Sequence, residues 1–100
     1  MAIVMAMEWQ GVTSAEYDRV MEILRLDETP PQGGVFHVAG SEGGNWRVVD
    51  VWESEQAWNA FFETRLKPAL EQANLLDGRP QPTVRVYEVH NVYAPEPAAV

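Results

Sequence analysis

The stretch Asn45-Trp-Arg-Val-Val-Asp-Val-Trp-Glu-Ser54 constrains the fold more than any other part of this chain. It is crowded with β-branched and aromatic residues, as strands are. Side chains alternate across a strand, so Val48 and Trp52 share one face while Val49 and Val51 share the other. Both faces are apolar, and neither can be left in water. The chain's own helices can cover one. In a chain of 100 residues, the simplest cover for the other is a second copy of the protein.

The remaining segments fall into place around this strand. Ala2 to Trp9 is apolar up to Glu8, as in a strand buried on both faces. Thr13-Ser-Ala-Glu16 forms a capping box, and Tyr17, Val20, Met21 and Leu24 then recur with helical spacing opposite Asp18, Arg19, Glu22 and Arg25. Thr29-Pro-Pro-Gln-Gly-Gly34 breaks that helix. A short strand is expected over Val35–Ala39, then a flexible hairpin connection over Gly40–Gly44, then the third strand over Trp46–Glu53. Ser54 is an N-cap for a second helix whose apolar stripe is Ala57, Trp58, Phe61, Phe62 and Leu66. Pro68 either kinks that helix or opens a further helical turn that continues to about Leu76. Thr83 to Tyr93 is the last strand.

The order β-α-β-β-α-β is the split βαβ, ferredoxin-like plan: an α+β fold on a four-stranded antiparallel sheet. In that plan the first and third strands lie in the middle, and these are the two most apolar on both faces. The edge strands carry His37, Arg85, Glu88 and His90. Residues 1–93 are expected to form one domain, and 94–100, with Pro95 and Pro97, a flexible C-terminal tail.

Composition narrows the function classes. Fifteen acids against seven bases give a net charge of −8, and the bases are scattered. Nucleic acid and anionic membrane surfaces, which need clustered Lys and Arg, are not expected partners. The chain has no cysteine, which excludes disulfides and thiolate chemistry and fits a reducing, cytoplasmic setting. Met1–Met7 has neither a basic n-region nor a cleavage site, and it is too short to span a bilayer.

With these elements placed, the chain resembles the dimeric α/β-barrel superfamily and, within it, the antibiotic biosynthesis monooxygenase-like domains. The resemblance spans most of residues 2–93. Trp52-Glu-Ser-Glu-Gln-Ala-Trp-Asn-Ala-Phe-Phe62 carries it best, with Phe36-His-Val-Ala-Gly40 and Gly44 to Ser54 in support. It implies a homodimer joined through a sheet face. Its range of activities includes cofactor-free oxygenation of polycyclic phenols, haem degradation, lactone isomerisation, dehalogenation, cyclisation and ligand sensing, so the fold does not decide the function. Members of the monooxygenase-like group carry a His about where Phe61 stands here. The haem-degrading branch also uses an axial His further along the helix, where this chain has Glu71 and Gln72, and an Asn in the first strand, which is missing. Haem cleavage is therefore disfavoured.

Few residues are candidates for chemistry. His37 is a candidate general base toward a phenol, because imidazole exchanges its proton near neutral pH; the plainer alternative is an edge-strand His satisfied by backbone or water. His90 fits an exposed edge better. Asp50 is the one acid in an otherwise apolar strand and must be paired. Arg47, Arg65 and Arg85 are candidate partners; alternatively Asp50 orients His37 across the hairpin. Trp52, Trp58 and Phe62, with Phe61, either line a flat pocket for an aromatic ligand or are simply core. Nothing in the spacing resembles a metal motif, so no metal and no other cofactor is expected.

Two functions follow from the sequence. The first is a cofactor-independent monooxygenase or related enzyme acting on an aromatic or polyketide-like small molecule. In it His37 takes a phenolic proton, while Trp52, Trp58 and Phe62 hold the ring. The alternative is a non-catalytic small-molecule-binding or stress-response protein of the same fold.

Overall fold

The computed structural model describes residues 1–93; the expected tail, 94–100, lies outside them. Strands β1 (Ile3–Gln10), β2 (Gly34–Glu42), β3 (Asn45–Trp52) and β4 (Thr83–Glu88) form one antiparallel sheet in the order β2-β3-β1-β4. Helix α1 (Ser14–Leu24) joins β1 to β2, and α2 (Glu55–Phe61) and α3 (Lys67–Gln72) lie between β3 and β4. This is the ferredoxin-like plan, with the two most apolar strands in the centre.

Alternation sorts the central strands cleanly. Ile3, Met5, Met7 and Trp9 of β1 are buried, as are Val48, Asp50 and Trp52 of β3. They form a core with Val20 and Leu24 of α1, Trp58 and Phe61 of α2, and Ala69 and Leu70 of α3. The opposite sheet face is apolar and open. There Phe36 pairs with Val51 and Val38 with Val49, and Phe36, Val38, Val49 and Tyr87 are all exposed. A monomer with this face in water carries an apolar patch of the kind that marks an interface.

Local chemistry fixes the element ends. Thr13 Oγ1 accepts from the backbone N–H of Glu16, whose carboxylate accepts from that of Thr13, completing the capping box at α1. Ser54 caps α2 through the N–H of Ala57. Gly33, at φ 84°, lies where the chain enters β2 against α2; a Cβ there would come within 2.6 Å of Ala57 Cβ. The space admits only glycine.

Three boundaries differ from the sequence expectation. β2 is longer than Val35–Ala39: it runs to Glu42, and a two-residue turn, Gly43-Gly44, replaces the flexible loop. Both glycines have positive φ, 57° and 83°, as a tight turn matched to strand twist requires. β4 stops at Glu88 rather than Tyr93. α3 ends at Gln72 rather than about Leu76, with Pro68 in its first turn, as the second of the two alternatives has it. A π-helical segment, Phe62–Leu66, runs from α2 into α3, with the N–H of Lys67 donating to Phe62 O. The wider turn suits a proline, which has no N–H to give and crowds the carbonyl four residues back.

Candidate active site

The site grows out of the β2–β3 register. His37 stands opposite Asp50, and paired residues on antiparallel strands project to the same face. Asp50 is buried, with its side chain 8% exposed, whereas the His37 side chain on the edge strand is 38% exposed. His37 Nδ1 lies 2.5 Å from Asp50 Oδ1, and the indole N–H of Trp52 donates to Asp50 Oδ2 at 3.1 Å. The buried carboxylate is thus held on both oxygens. The alternative in which Asp50 orients His37 across the hairpin matches this geometry. The arginines are engaged elsewhere: Arg47 with Glu8 and Glu42, and Arg65 with the Leu24 carbonyl. Arg85 pairs in register with Ala6, on the other face.

A third group completes a chain. Tyr17 Oη lies 2.5 Å from His37 Nε2. A carboxylate only accepts, so Nδ1 carries a proton, and in the neutral imidazole Nε2 then accepts from the Tyr17 hydroxyl. Burial pushes the Tyr17 phenol above its ordinary ionisation range, and the nearby Asp50 and Asp18 carboxylates add to the shift. Tyr17 is therefore a proton donor at neutral pH. The order is Tyr17 O–H, His37, Asp50, Trp52 N–H, with each member's tautomer or charge set by the next.

This chain borders a cavity of about 280 Å³ between the sheet and the helices. Met5, Met7, Val20, Trp46, Trp58 and Phe61 are among its wall residues, with Tyr17, His37 and Asp50 as polar points. The volume lies near the lower end for small-molecule sites. His37 lines the cavity and is partly exposed, so the imidazole marks a place where the cavity meets solvent.

The expected aromatic residues divide. Trp52 and Trp58 line the cavity and pack together with ring centroids 5.8 Å apart. Phe62 is not in the wall; it packs on Trp58 at 5.8 Å, while Phe61, three positions after Trp58, packs at 6.4 Å and does border the space. Positions three and four along a helix flank the starting residue, and the cavity lies on the Phe61 side. His90 is exposed beyond the end of β4 and is not among the wall residues. Among the described residues, no three His, Asp or Glu side chains group as a metal would need.

Two wall residues were not legible as site residues. Tyr17 read as part of the α1 apolar stripe, although a tyrosine in a buried stripe must find a partner for its hydroxyl. Trp46 read as a strand residue only. Its indole nitrogen is buried and, among the described residues, is the one buried side-chain polar atom without a hydrogen-bond partner.

Solved structures match this architecture closely. SnoaB, a cofactor-independent oxygenase from Streptomyces nogalater, solved as a mutant, superposes with a TM-score of 0.66 over 91% of this chain and 95% of its own, at 11% identity. A protein from Caulobacter crescentus, provisionally named an antibiotic biosynthesis monooxygenase, gives 0.70 over 90% and 91%, at 14% identity. This chain shares the fold of these proteins. A dimeric ferredoxin-like protein of unknown function from Thermobifida fusca shares it too, at TM-score 0.65 over 89% and 92% with 15% identity. Likeness at identities this low shows the ferredoxin-like fold and leaves the chemistry to the site. No family model matches the sequence, and no curated protein does.

Proposed function

We propose that the protein binds a flat phenolic small molecule in the cavity and ionises it, with dioxygen as the reaction partner in a cofactor-independent monooxygenation. One observation carries the proposal: the Asp50–His37 pair, with the Tyr17 hydroxyl on Nε2, stands at the wall of an apolar cavity. Proton removal leaves an electron-rich phenolate, and apolar walls keep water from re-solvating it. The anion passes one electron to dioxygen, and the resulting pair combines to form a carbon–oxygen bond. Loss of water from the hydroperoxide then leaves a quinone. Asp50 holds the imidazole in the productive tautomer and offsets the charge it gains. Trp52 and Trp58 supply the flat surfaces.

The working unit in this proposal is a homodimer joined through the outer sheet face, where Phe36, Val38 and Val49 would otherwise stay in water. The dimeric state of the Thermobifida fusca protein supports it. No helix among the described residues is long and apolar enough to cross a membrane, and a cytoplasmic setting fits a chain without cysteine.

A non-catalytic binding protein is the second reading. Phe61, which stands where the family resemblance implies a His, favours it.

Ligand-induced thermal shift with phenols, hydroxyquinones and anthrones tests the cavity, and oxygen uptake tests the reaction. A ligand at a hundred times its Kd adds about 2.7 kcal/mol. Val20→Phe, which fills the cavity, should abolish the shift. Oxygen uptake that is lost in His37→Ala supports the enzyme; binding without uptake leaves the binding protein. No shift with any compound refutes both.

A further inference from the structure

Tyr17 stands on the base that the proposed reaction needs. With Nδ1–H committed to Asp50, the one free lone pair of a neutral imidazole is at Nε2, and the Tyr17 hydroxyl occupies it. The two ring planes differ by only 4°, so the lone pair lies close to the plane in which the phenol's own O–H bond prefers to lie. A ligand hydroxyl entering the cavity therefore meets a base already in use. Displacing Tyr17 would strand a half-buried hydroxyl. Tyr17 keeps its proton, yet its oxygen retains acceptor capacity and borders the cavity.

Trp46 supplies a second, independent observation. Its ring centroid is 5.0 Å from that of Tyr17, it lines the same cavity, and its buried N–H has no partner among the described residues. A buried donor without an acceptor is costly and is characteristically satisfied by a bound group.

We infer that Tyr17, not His37, meets the ligand hydroxyl as a catalytic residue, and that Trp46 donates the second hydrogen bond to the oxyanion left behind. The inference rests on the cavity reading above. The ligand O–H gives its proton to Tyr17 Oη as the Tyr17 O–H gives its own to His37 Nε2. The ligand oxygen keeps the electron pair of the broken bond. The products are a ligand oxyanion, an unchanged tyrosine and an imidazolium facing the Asp50 carboxylate. The chain is a two-step proton wire ending on a buried counter-charge.

The test uses 4-nitrophenol, whose phenolate and phenol differ in visible absorbance, at a pH where the free dye is protonated. In the wild-type protein the bound dye should be the phenolate. In Tyr17→Phe it should still bind but as the neutral phenol, with the bound phenolate falling at least about tenfold, and His37→Gln should match it. Trp46→Phe should weaken phenolate binding about tenfold while leaving nitrobenzene, which has no hydroxyl, unaffected. Phenolate that persists in Tyr17→Phe would show that His37 receives the proton directly, overturning this role while sparing the cavity. Failure of the wild-type protein to bind the dye overturns both. Should Tyr17→Phe not fold, a 13C label at tyrosine Cζ follows Tyr17 in the wild-type protein, and a signal unmoved by bound dye refutes the contact.

Discussion

The indole N–H of Trp52 reaches the carboxylate of Asp50, two residues earlier on the same strand face, at 3.1 Å. That bond fixes the second oxygen of an acid whose first oxygen holds His37. Asp50→Asn would put an amide N–H₂ where one of two donors now points. An amide nitrogen facing Nδ1 would force the imidazole proton to Nε2, the wrong tautomer to accept from Tyr17. Ligand ionisation should fall by about 10²–10⁴-fold, the usual weight of a general base, while ligand affinity changes little. Visible-absorbance titration of bound 4-nitrophenol checks it.

Tyr17 should ionise above the ordinary range of a phenol. Its folded-state pKa lies above the ordinary 10.0 because of burial and the neighbouring Asp50 and Asp18 carboxylates. A raised pKa adds stability that is fully present below about 10 and is lost as pH rises through the higher folded value. The ultraviolet difference titration of wild type against Tyr17→Phe should show this late phase, and the wild-type protein should lose stability at high pH more steeply than the variant. A Tyr17 phase at the ordinary position would contradict the Tyr17–His37–Asp50 arrangement.

The capping box predicts behaviour in acid. Hydrogen bonding to the Thr13 backbone holds the Glu16 carboxyl below its ordinary 4.5, and Arg79, with its guanidinium 2.6 Å away, pulls the same way against the cost of burial. A lowered pKa adds stability that is present above about 4.5 and is lost as pH falls through the folded value. Thr13→Ala should cost about 1 kcal/mol at neutral pH while leaving most of the acid limb of a pH–stability curve, because the backbone N–H and Arg79 remain; Glu16→Gln should flatten that limb. Urea unfolding across the acid range measures both effects.

The outer sheet face predicts assembly. Val38 and Val49 are register partners on that face and are about half exposed in the isolated chain, at 50% and 39%. A Val38→Glu, Val49→Glu double variant places two like charges side by side in the proposed interface and should sediment as a monomer. Wild-type protein that already sediments as a monomer would sink the homodimer.

Legibility followed patterning. The apolar runs of β1 and β3 and the helical stripe of α1 extend over several residues, so element type and strand order could be read directly; which strand faces meet the helices could not, because both faces of the central strands are apolar. The edge strands could not, because β2 and β4 are exposed along nearly their whole length and lack a two-sided pattern to set their ends. His37 and Asp50 stood out as a polar pair on apolar strands, but whether they met depended on register, which the glycine-rich loop did not declare. Trp52 and Trp58 border the cavity and Phe62 does not; helical periodicity says which residues share a stripe and not on which flank of it a void lies. Tyr17 was hidden in plain view: its ring satisfies the stripe, and only its oxygen belongs to the site.

The Gly43-Gly44 turn touches neither the cavity nor the imidazole, yet it decides which side of the sheet receives the chemistry. Adding one residue there would slide β2 by one place against β3. His37 would then point toward the face proposed for the partner subunit, and Val38 would stand opposite Asp50. The strand would still pair and the protein would still look folded by its backbone signal. It would carry a charged acid with no imidazole beside it and a basic ring in its seam. Two glycines thus act as a parity bit for the molecule, and errors in them would surface as lost ionisation and lost pairing together.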